Sequence, residues 1–421
     1  MDYLKWMPYI GFFIFVYPVI MSTVWIIGGM SFWHRRENKA SNSVAITNLP
    51  ATTILVPCHN EEVCIKDTFL ALNNIEYPDY RVVFIDDAST DRTVKIIKSL
   101  IKNNPNFHLL QLSHNQGKAR ALNYGLFSAV STSITIIIDA DTAFTPDALT
   151  HLVTPFLQQP RMGAVTGNPL VANRHNILEK LQAAEFVSIV GLIKRAQRSL
   201  GRILTVSGCV ASYNTELLKE IGGFSTLTAT EDIDITWQIQ RRFHEVWFAP
   251  GALVLINAPS TIREFWKQRC RWAEGGWHLL RTHRNIFTRF RWRRLWPVYI
   301  EQVISNLWSI CFVFGSLLWI LTYYFTGDPI GFPVIPAWYG GIISVICMTQ
   351  FGVALIVSRR FDSKLWKIFF WIPWYPLFYF CIGALAVVRT SIKGLFGDLE
   401  QAGKWKSPVR EKLKHVQRKA N

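Results

Sequence analysis

The stretch Ile134-Thr135-Ile136-Ile137-Ile138-Asp139-Ala140-Asp141 sets a run of β-branched residues directly before two aspartates one residue apart. Such a run favours an extended strand. Side chains alternate along a strand, so the two carboxylates point the same way beyond its end. Convergent carboxylates repel each other unless a cation lies between them. Mg2+ or Mn2+, shared between carboxylate and diphosphate oxygens, answers that repulsion. Asp139 and Asp141 are therefore the metal-ligand candidates.

Working outward, similar runs occur at 53–56, 81–85 and 109–112, each followed by a helical pattern at 62–72, 92–102 and 118–129. A further helical pattern, at 146–156, follows the first-quoted run. This alternation predicts a doubly wound α/β sheet, in which ligands bind beyond the carboxyl ends of the strands. The second run ends in Asp86-Asp87-Ala88-Ser89-Thr90-Asp91. Ser89 or Thr90 suits a helix cap with Asp91 on the first turn. That leaves Asp86 and Asp87 as acceptors for a uracil imide N–H or a ribose hydroxyl. After the third run, Gly117 permits a tight entry to a helix, and Lys118 near its N-terminus suits a phosphate or simply solvent.

In the second half, Thr230-Glu231-Asp232-Ile233-Asp234 opens a helical stretch. Glu231 is expected as a cap and dipole partner. Asp232 is expected as the general base that takes the proton of an attacking hydroxyl. With no second carboxylate placed as nucleophile, direct displacement with inversion is the economical chemistry. Gln268-Arg269-Cys270-Arg271-Trp272 follows, with Gln268, Arg271 and Trp272 on one helical face. Arg271 suits a diphosphate and Trp272 the flat face of a sugar ring. The same stretch also reads as an amphipathic membrane-surface helix. Between these motifs, 201–212 reads as a strand with a Ser207-Gly208 turn near the acceptor. Lys194, Arg195 and Arg198 form a basic stretch on an apolar helix, suited to phospholipid or to an anionic regulator.

Half of the 421 residues are hydrophobic, including 17 Trp and 28 Phe. Residues 8–30 carry no charge and have the length of a membrane anchor. Three late apolar stretches lie at about 299–325, 332–357 and 365–388. The last contains Pro373 and Pro376, so it is either a span or an interfacial or re-entrant segment. The expected division is an anchor at 1–33, a cytoplasmic catalytic domain at 50–296, a membrane region at 297–390 and a basic tail at 391–421. The net charge of +16 gathers at the membrane borders, as at His34-Arg35-Arg36, 289–294 and 404–419. That placement fits the positive-inside rule and attraction to anionic lipid, not nucleic acid. The seven cysteines are scattered, with neither a zinc pattern nor a disulfide framework.

In order, the Asp86/Asp87 pair, the Asp139/Asp141 motif, Thr230-Glu231-Asp232 and Gln268–Trp272 resemble the family 2 glycosyltransferases of GT-A fold, specifically the processive synthases. Residues 163–169, 191–195, 206–208, 231–237 and 266–269 resemble the bacterial poly-β-1,6-N-acetylglucosamine synthases. That resemblance implies UDP-GlcNAc as donor, Mg2+ or Mn2+, and a polysaccharide extruded across the inner membrane for biofilm. By the same resemblance Asp87 contacts uridine, while Gln268, Arg271 and Trp272 bind pyrophosphate and acceptor. A small two-span accessory subunit and cyclic di-GMP are implied for some relatives, with Lys194, Arg195 and Arg198 as the candidate contact. Chitin-type and hyaluronan-type synthases share the four motifs. A membrane transporter or receptor with a silent domain is the reading from another class.

Overall fold

The computed structural model describes residues 6–37, 48–331, 338–375 and 380–398. Phe332, Pro376 and the basic tail from Lys404 to Lys419 lie outside them.

A 26-residue apolar helix, α1 (Met7–Phe32), precedes the sheet domain. The domain then alternates β1 (Thr52–Cys58), α2 (Ile65–Asn73), β2 (Tyr80–Asp86), α3 (Thr93–Ile101), β3 (Phe107–Gln111), α4 (Lys118–Ala129), β4 (Ile134–Ile138), β5 (Ala143–Phe144) and α5 (Ala148–Gln158). It continues with β6 (Met162–Val171), α6 (Ile177–Glu185), α7 (Lys194–Ser199), β7 (Val210–Asn214), α8 (Thr215–Ile221), α9 (Glu231–Arg241), β8 (Glu245–Ile256) and α10 (Ile262–Thr282). The four strands foreseen in the first half are all present. The expected strand within 201–212 forms only at its end, where β7 begins at Val210.

The strands form one sheet in the order β3-β2-β1-β4-β7-β6-β8-β5. β1 pairs in parallel with β2 on one side and β4 on the other, so the winding reverses between β1 and β4. A crevice opens at such a reversal. β7 runs antiparallel to β4, with Ile138 opposite Val210, so the Ser207-Gly208 turn at its start reaches the crevice. Period-two alternation sends Ile54, Val56, Phe84 and Ile136 to one face and Leu55, Val83, Ile85 and Ile137 to the other. Both faces are buried, which is why these strands read as continuous apolar runs.

Among the described residues, three helices are long and apolar enough to cross a membrane: Met7–Glu37, Phe290–Thr326 and Gly340–Ser358. Phe290–Thr326 takes in the whole of α11 (Trp296–Thr326), and Gly340–Ser358 most of α12 (Trp338–Ser358). The third late stretch is not one continuous helix. It opens in a 3-10 segment, Ser363–Trp374, holding Pro373, and closes in α13 (Cys381–Phe396). Proline removes a backbone donor and strains a helix interior. The 3-10 segment lies against α6, where Arg174 pairs with Asp362 at 2.7 Å and the Lys180 ammonium sits 4.9 Å from the Trp371 ring. The end of α13 lies on α10, with Lys393 2.8 Å from Glu274 and Arg281 donating to the Gly397 carbonyl. Both ends of this stretch therefore meet the globular domain.

Candidate active site

Asp87 and the Asn115-Gln116-Gly117 turn build one wall of the crevice. The Asp87 carboxylate accepts from the backbone N–H of Gln116 at 2.8 Å and of Gly117 at 2.7 Å. Gly117 has φ +93°, a conformation that favours glycine, and α4 starts immediately after it. Asp87 thus clamps the entry to α4. Its neighbour Asp86 holds the unspent acceptor. Asp86 Oδ2 accepts from Ser89 N, while its buried Oδ1 has no hydrogen-bond partner among the described residues.

The loop beyond β2 also differs from expectation. Asp91, not Ser89 or Thr90, accepts from Thr93 N at the helix start. Ser89 and Thr90 instead bind Asn60 in the loop after β1. Asn60 and Ala88 both have positive φ, at +56° and +55°. Strain of this kind persists where surrounding contacts impose it, and it gathers at functional sites.

The floor is a charge cluster around Lys118. Its ammonium lies 2.7 Å from Asp139 Oδ1 and 3.1 Å from Glu231 Oε1, and donates to the Gly208 carbonyl at 3.2 Å. Burial alone would lower its proton affinity, but Asp139 and Glu231 outweigh burial and hold it charged. Lys118 therefore joins three motifs rather than facing solvent. Glu231, expected only at the helix end, sits inside the site as its partner. Burial and the nearby Asp141 charge raise the Asp139 pKa, with Lys118 opposing. Among the described residues no three His, Cys, Asp or Glu side chains gather to hold an ion. Two convergent carboxylates that need ligand oxygens to complete a coordination shell suit Mg2+ or Mn2+ at a diphosphate, not a closed protein cage.

Asp232 lies against the Ser207-Gly208 turn. A Cβ on Gly208 would come within 2.9 Å of Asp232 Oδ2, so only glycine lets the turn lie this close. Burial and the adjacent Glu231 push the Asp232 pKa up to about 6, while Lys118 and Arg271 hold it down. Beneath the turn, the buried Lys194 donates to Ser207 Oγ at 2.7 Å and to Thr166 Oγ1 at 3.2 Å. Burial lowers its pKa to about 8.

That position corrects the reading of the basic stretch. Lys194, Arg195 and Arg198 form no exposed cationic face. Arg195 is wholly buried and pairs with Glu37 at 2.5 Å, and Arg198 pairs with Glu245. α7 is covered because α1 packs on it and on the π-helical turn before it (Phe186–Ile193) through Gly28 and Gly29, where a Cβ would meet Ala196 at 2.9 Å and Leu192 at 2.2 Å. The phospholipid and cyclic-dinucleotide readings lose the residues assigned to them.

α10 carries the last motif. Gln268, Arg271 and Trp272 share its helical spacing as expected, and Arg271 lies close enough to help stabilise ionised Glu231 and Asp232. Gln268 Oε1 is buried without a hydrogen-bond partner among the described residues. Two residues went unforeseen, Arg269 and Glu185. Arg269 donates two bonds to Glu185, at 2.8 and 3.1 Å, and its guanidinium lies 4.2 Å from the Trp272 ring centroid. Trp272 is thereby held from its inner side. A lone Glu185 beside the apolar run at 186–193 was the available signal, since a buried carboxylate needs a cation.

With this geometry in place, similarity to known proteins is decisive. The profile of Glycosyl transferase family 2 matches residues 53–222. The poly-β-1,6-N-acetyl-D-glucosamine synthase of Staphylococcus aureus strain COL is 34% identical over 413 residues, covering 96% of this chain and 99% of that protein. The enzyme of the same name from Staphylococcus epidermidis is 32% identical, over 94% of this chain and 98% of its own length. The chain belongs to the poly-β-1,6-N-acetyl-D-glucosamine synthases. It is a glycosyltransferase. Among solved structures, the mannosyltransferase PcManGT from Pyrobaculum calidifontis superposes with a TM-score of 0.56 at 17% identity, covering 91% of this chain and 99% of that one. That likeness is one of fold.

Proposed function

We propose that this glycosyltransferase polymerises N-acetylglucosamine from UDP-GlcNAc into a β-1,6-linked chain and passes it across the cytoplasmic membrane, with its sheet domain on the cytoplasmic side. The observation that carries the mechanism is the convergence of Asp232, Gly208, Lys118 and Asp139 at one edge of the sheet.

Asp86 Oδ1, a buried acceptor without a partner among the described residues, suits the uracil imide or a ribose hydroxyl. Asp139 and Asp141 would hold a divalent cation together with the donor diphosphate. When bound, it neutralises the charge gathering on the departing UDP. The PcManGT structure contains GDP-Man and Mn2+, which supports a divalent ion in this fold.

Asp232 takes the proton of the acceptor C6 hydroxyl as its oxygen attacks the anomeric carbon. The bond from that carbon to the diphosphate oxygen breaks, UDP leaves with the bonding electrons, and the anomeric configuration inverts. Lys118 keeps Asp139 and Glu231 from repelling Asp232 apart, and Arg271 brings positive charge toward the diphosphate. Trp272, fixed by Arg269, offers its outer face to the acceptor ring.

The test uses membranes containing the protein, labelled UDP-GlcNAc and Mg2+, with Asp232→Asn alongside. Loss of a general base should cost about 10²–10⁴-fold in turnover with donor binding kept. Product cut by a β-1,6-specific hexosaminidase and not by chitinase supports the linkage. Product cut by chitinase replaces it. No polymer under any condition sinks the donor assignment.

A further inference from the structure

Far along α9 from Asp232, positive charge collects. α9 closes on Arg241 and is followed by Arg242, and α10 closes on Thr282 and His283. The 3-10 turn Phe290–Leu295, which leads into α11, carries Arg291 and is preceded by Arg289. These ends line a cleft of about 810 Å³. The guanidiniums of Arg241, Arg289 and Arg291 lie 4.1, 5.2 and 5.4 Å from the centroid of one indole, Trp292.

A cation over an aromatic face is favourable. Three around one ring also repel one another, and Arg241 has its proton affinity lowered by burial and by Arg242, Arg289 and Arg291. Two carboxylates, Asp234 and Glu220, line the cleft against Arg241, Arg242, Arg289 and Arg291, so they answer only part of this charge. Asp234 is engaged by His283 at 2.9 Å and by Gln238 at 2.6 Å, and the exposed Glu220 lies 3.8 Å from Arg242. Clustered cations around an open cleft call for an anion, as clustered carboxylates call for a cation.

Position identifies the source. The cleft sits at the mouth of the apolar stretch Phe290–Thr326. Phe287 and Phe290, 45% and 68% exposed, pack on Trp296 at the start of α11. Arginines flanked by exposed aromatic rings at a span's entrance are the chemistry of a headgroup layer.

We propose that this cleft binds the phosphate of an anionic phospholipid headgroup and links that lipid to the two helices carrying Asp232 and Arg271. The link is a hydrogen-bond chain. Arg241 donates to His283 Nδ1 at 3.0 Å, and His283 Nε2 meets Asp234 Oδ1 at 2.9 Å, two residues along α9 from Asp232. The binding is independent of which sugar is transferred, because its primary readout is thermal stability.

The full-length protein is placed in phosphatidylcholine bilayers with increasing phosphatidylglycerol, and its melting temperature is followed. Phosphatidylglycerol should raise the melting temperature. Arg291→Gln, at an exposed position, should melt like the parent in phosphatidylcholine alone but need about fivefold more phosphatidylglycerol for half the effect. Arg241→Gln combined with Arg291→Gln should need more still. Arg263→Gln, an exposed arginine outside the cleft, should respond like the parent. An equal response of parent and double variant overturns the site, as does an Arg263→Gln response matching Arg291→Gln. If inorganic phosphate in pure phosphatidylcholine gives the parent the same shift, the ligand is a soluble anion and the lipid assignment falls.

Discussion

At the residue scale, the site turns on carboxylates whose proton affinities are set by burial and by one another. With the Asp232 pKa at about 6, the base is ionised above that pH and protonated below it. The free-enzyme kcat/KM should therefore fall about tenfold per pH unit on the acid side. Arg271 lowers this pKa, so Arg271→Gln should move the acid limb to higher pH as well as weaken turnover; an unmoved limb would separate Arg271 from the base. Lys194 tethers Ser207 beneath the turn that touches Asp232. Lys194→Met should lower kcat by about tenfold or more with donor KM little changed, since a slackened turn misplaces the acceptor rather than the nucleotide. The positions of Asp139 and Asp141 beyond a strand and of Asp232 in the first turn of a helix were legible, because strand ends and helix starts have fixed geometry. The partner choice of Lys118 was not. A lysine at a helix N-terminus serves phosphate or carboxylate equally well, and its carboxylates lie far along the chain. That Asp87 accepts from the Gln116 and Gly117 amides while Asp86 Oδ1 keeps no partner among the described residues was not readable from two adjacent aspartates.

At the element scale, α10 and the start of α9 approach until backbone nearly meets side chain. A Cβ on Gly275 would come within 2.2 Å of Thr230 Oγ1. Gly275→Ala should displace Thr230-Glu231-Asp232 and lower kcat by on the order of 10²-fold, measured beside Gly341→Ala, where a Cβ meets nothing within 4 Å. Breaking the buried Arg269–Glu185 pair by Arg269→Ala should cost about 3–5 kcal/mol of stability, readable as a lower melting temperature. The alternation of strands and helices was readable because each has its own apolar period. The 201–212 region was not: its β-branched residues mostly bury in a turn-rich approach, and pairing begins only at Val210. The break in the last apolar stretch was half visible through Pro373. Which side its ends take depends on Glu274, Asp362 and Trp371, contacts no local pattern reports.

At the scale of the whole molecule, chain ends and middle are stitched together. Glu37, after the first helix, holds both Arg195 in the domain and Arg360 after α12. Trp308 in α11 donates to the Ile14 carbonyl in α1 at 2.9 Å. Charge placement misled at Lys194, Arg195 and Arg198, because charges are usually solvated and the covering helix lies far upstream in sequence. The seat of Gly28 and Gly29 on α7 has a further consequence. The compositional border near residue 50 is no folding border, and a soluble fragment cut there would uncover Leu192 and Ala196 and strand Arg195 without its carboxylate. Such a fragment should aggregate or lose activity even with every catalytic motif intact, whereas supplying residues 1–47 as a separate membrane peptide should recover part of it. The first helix thus serves as a wall of the enzyme as much as an anchor.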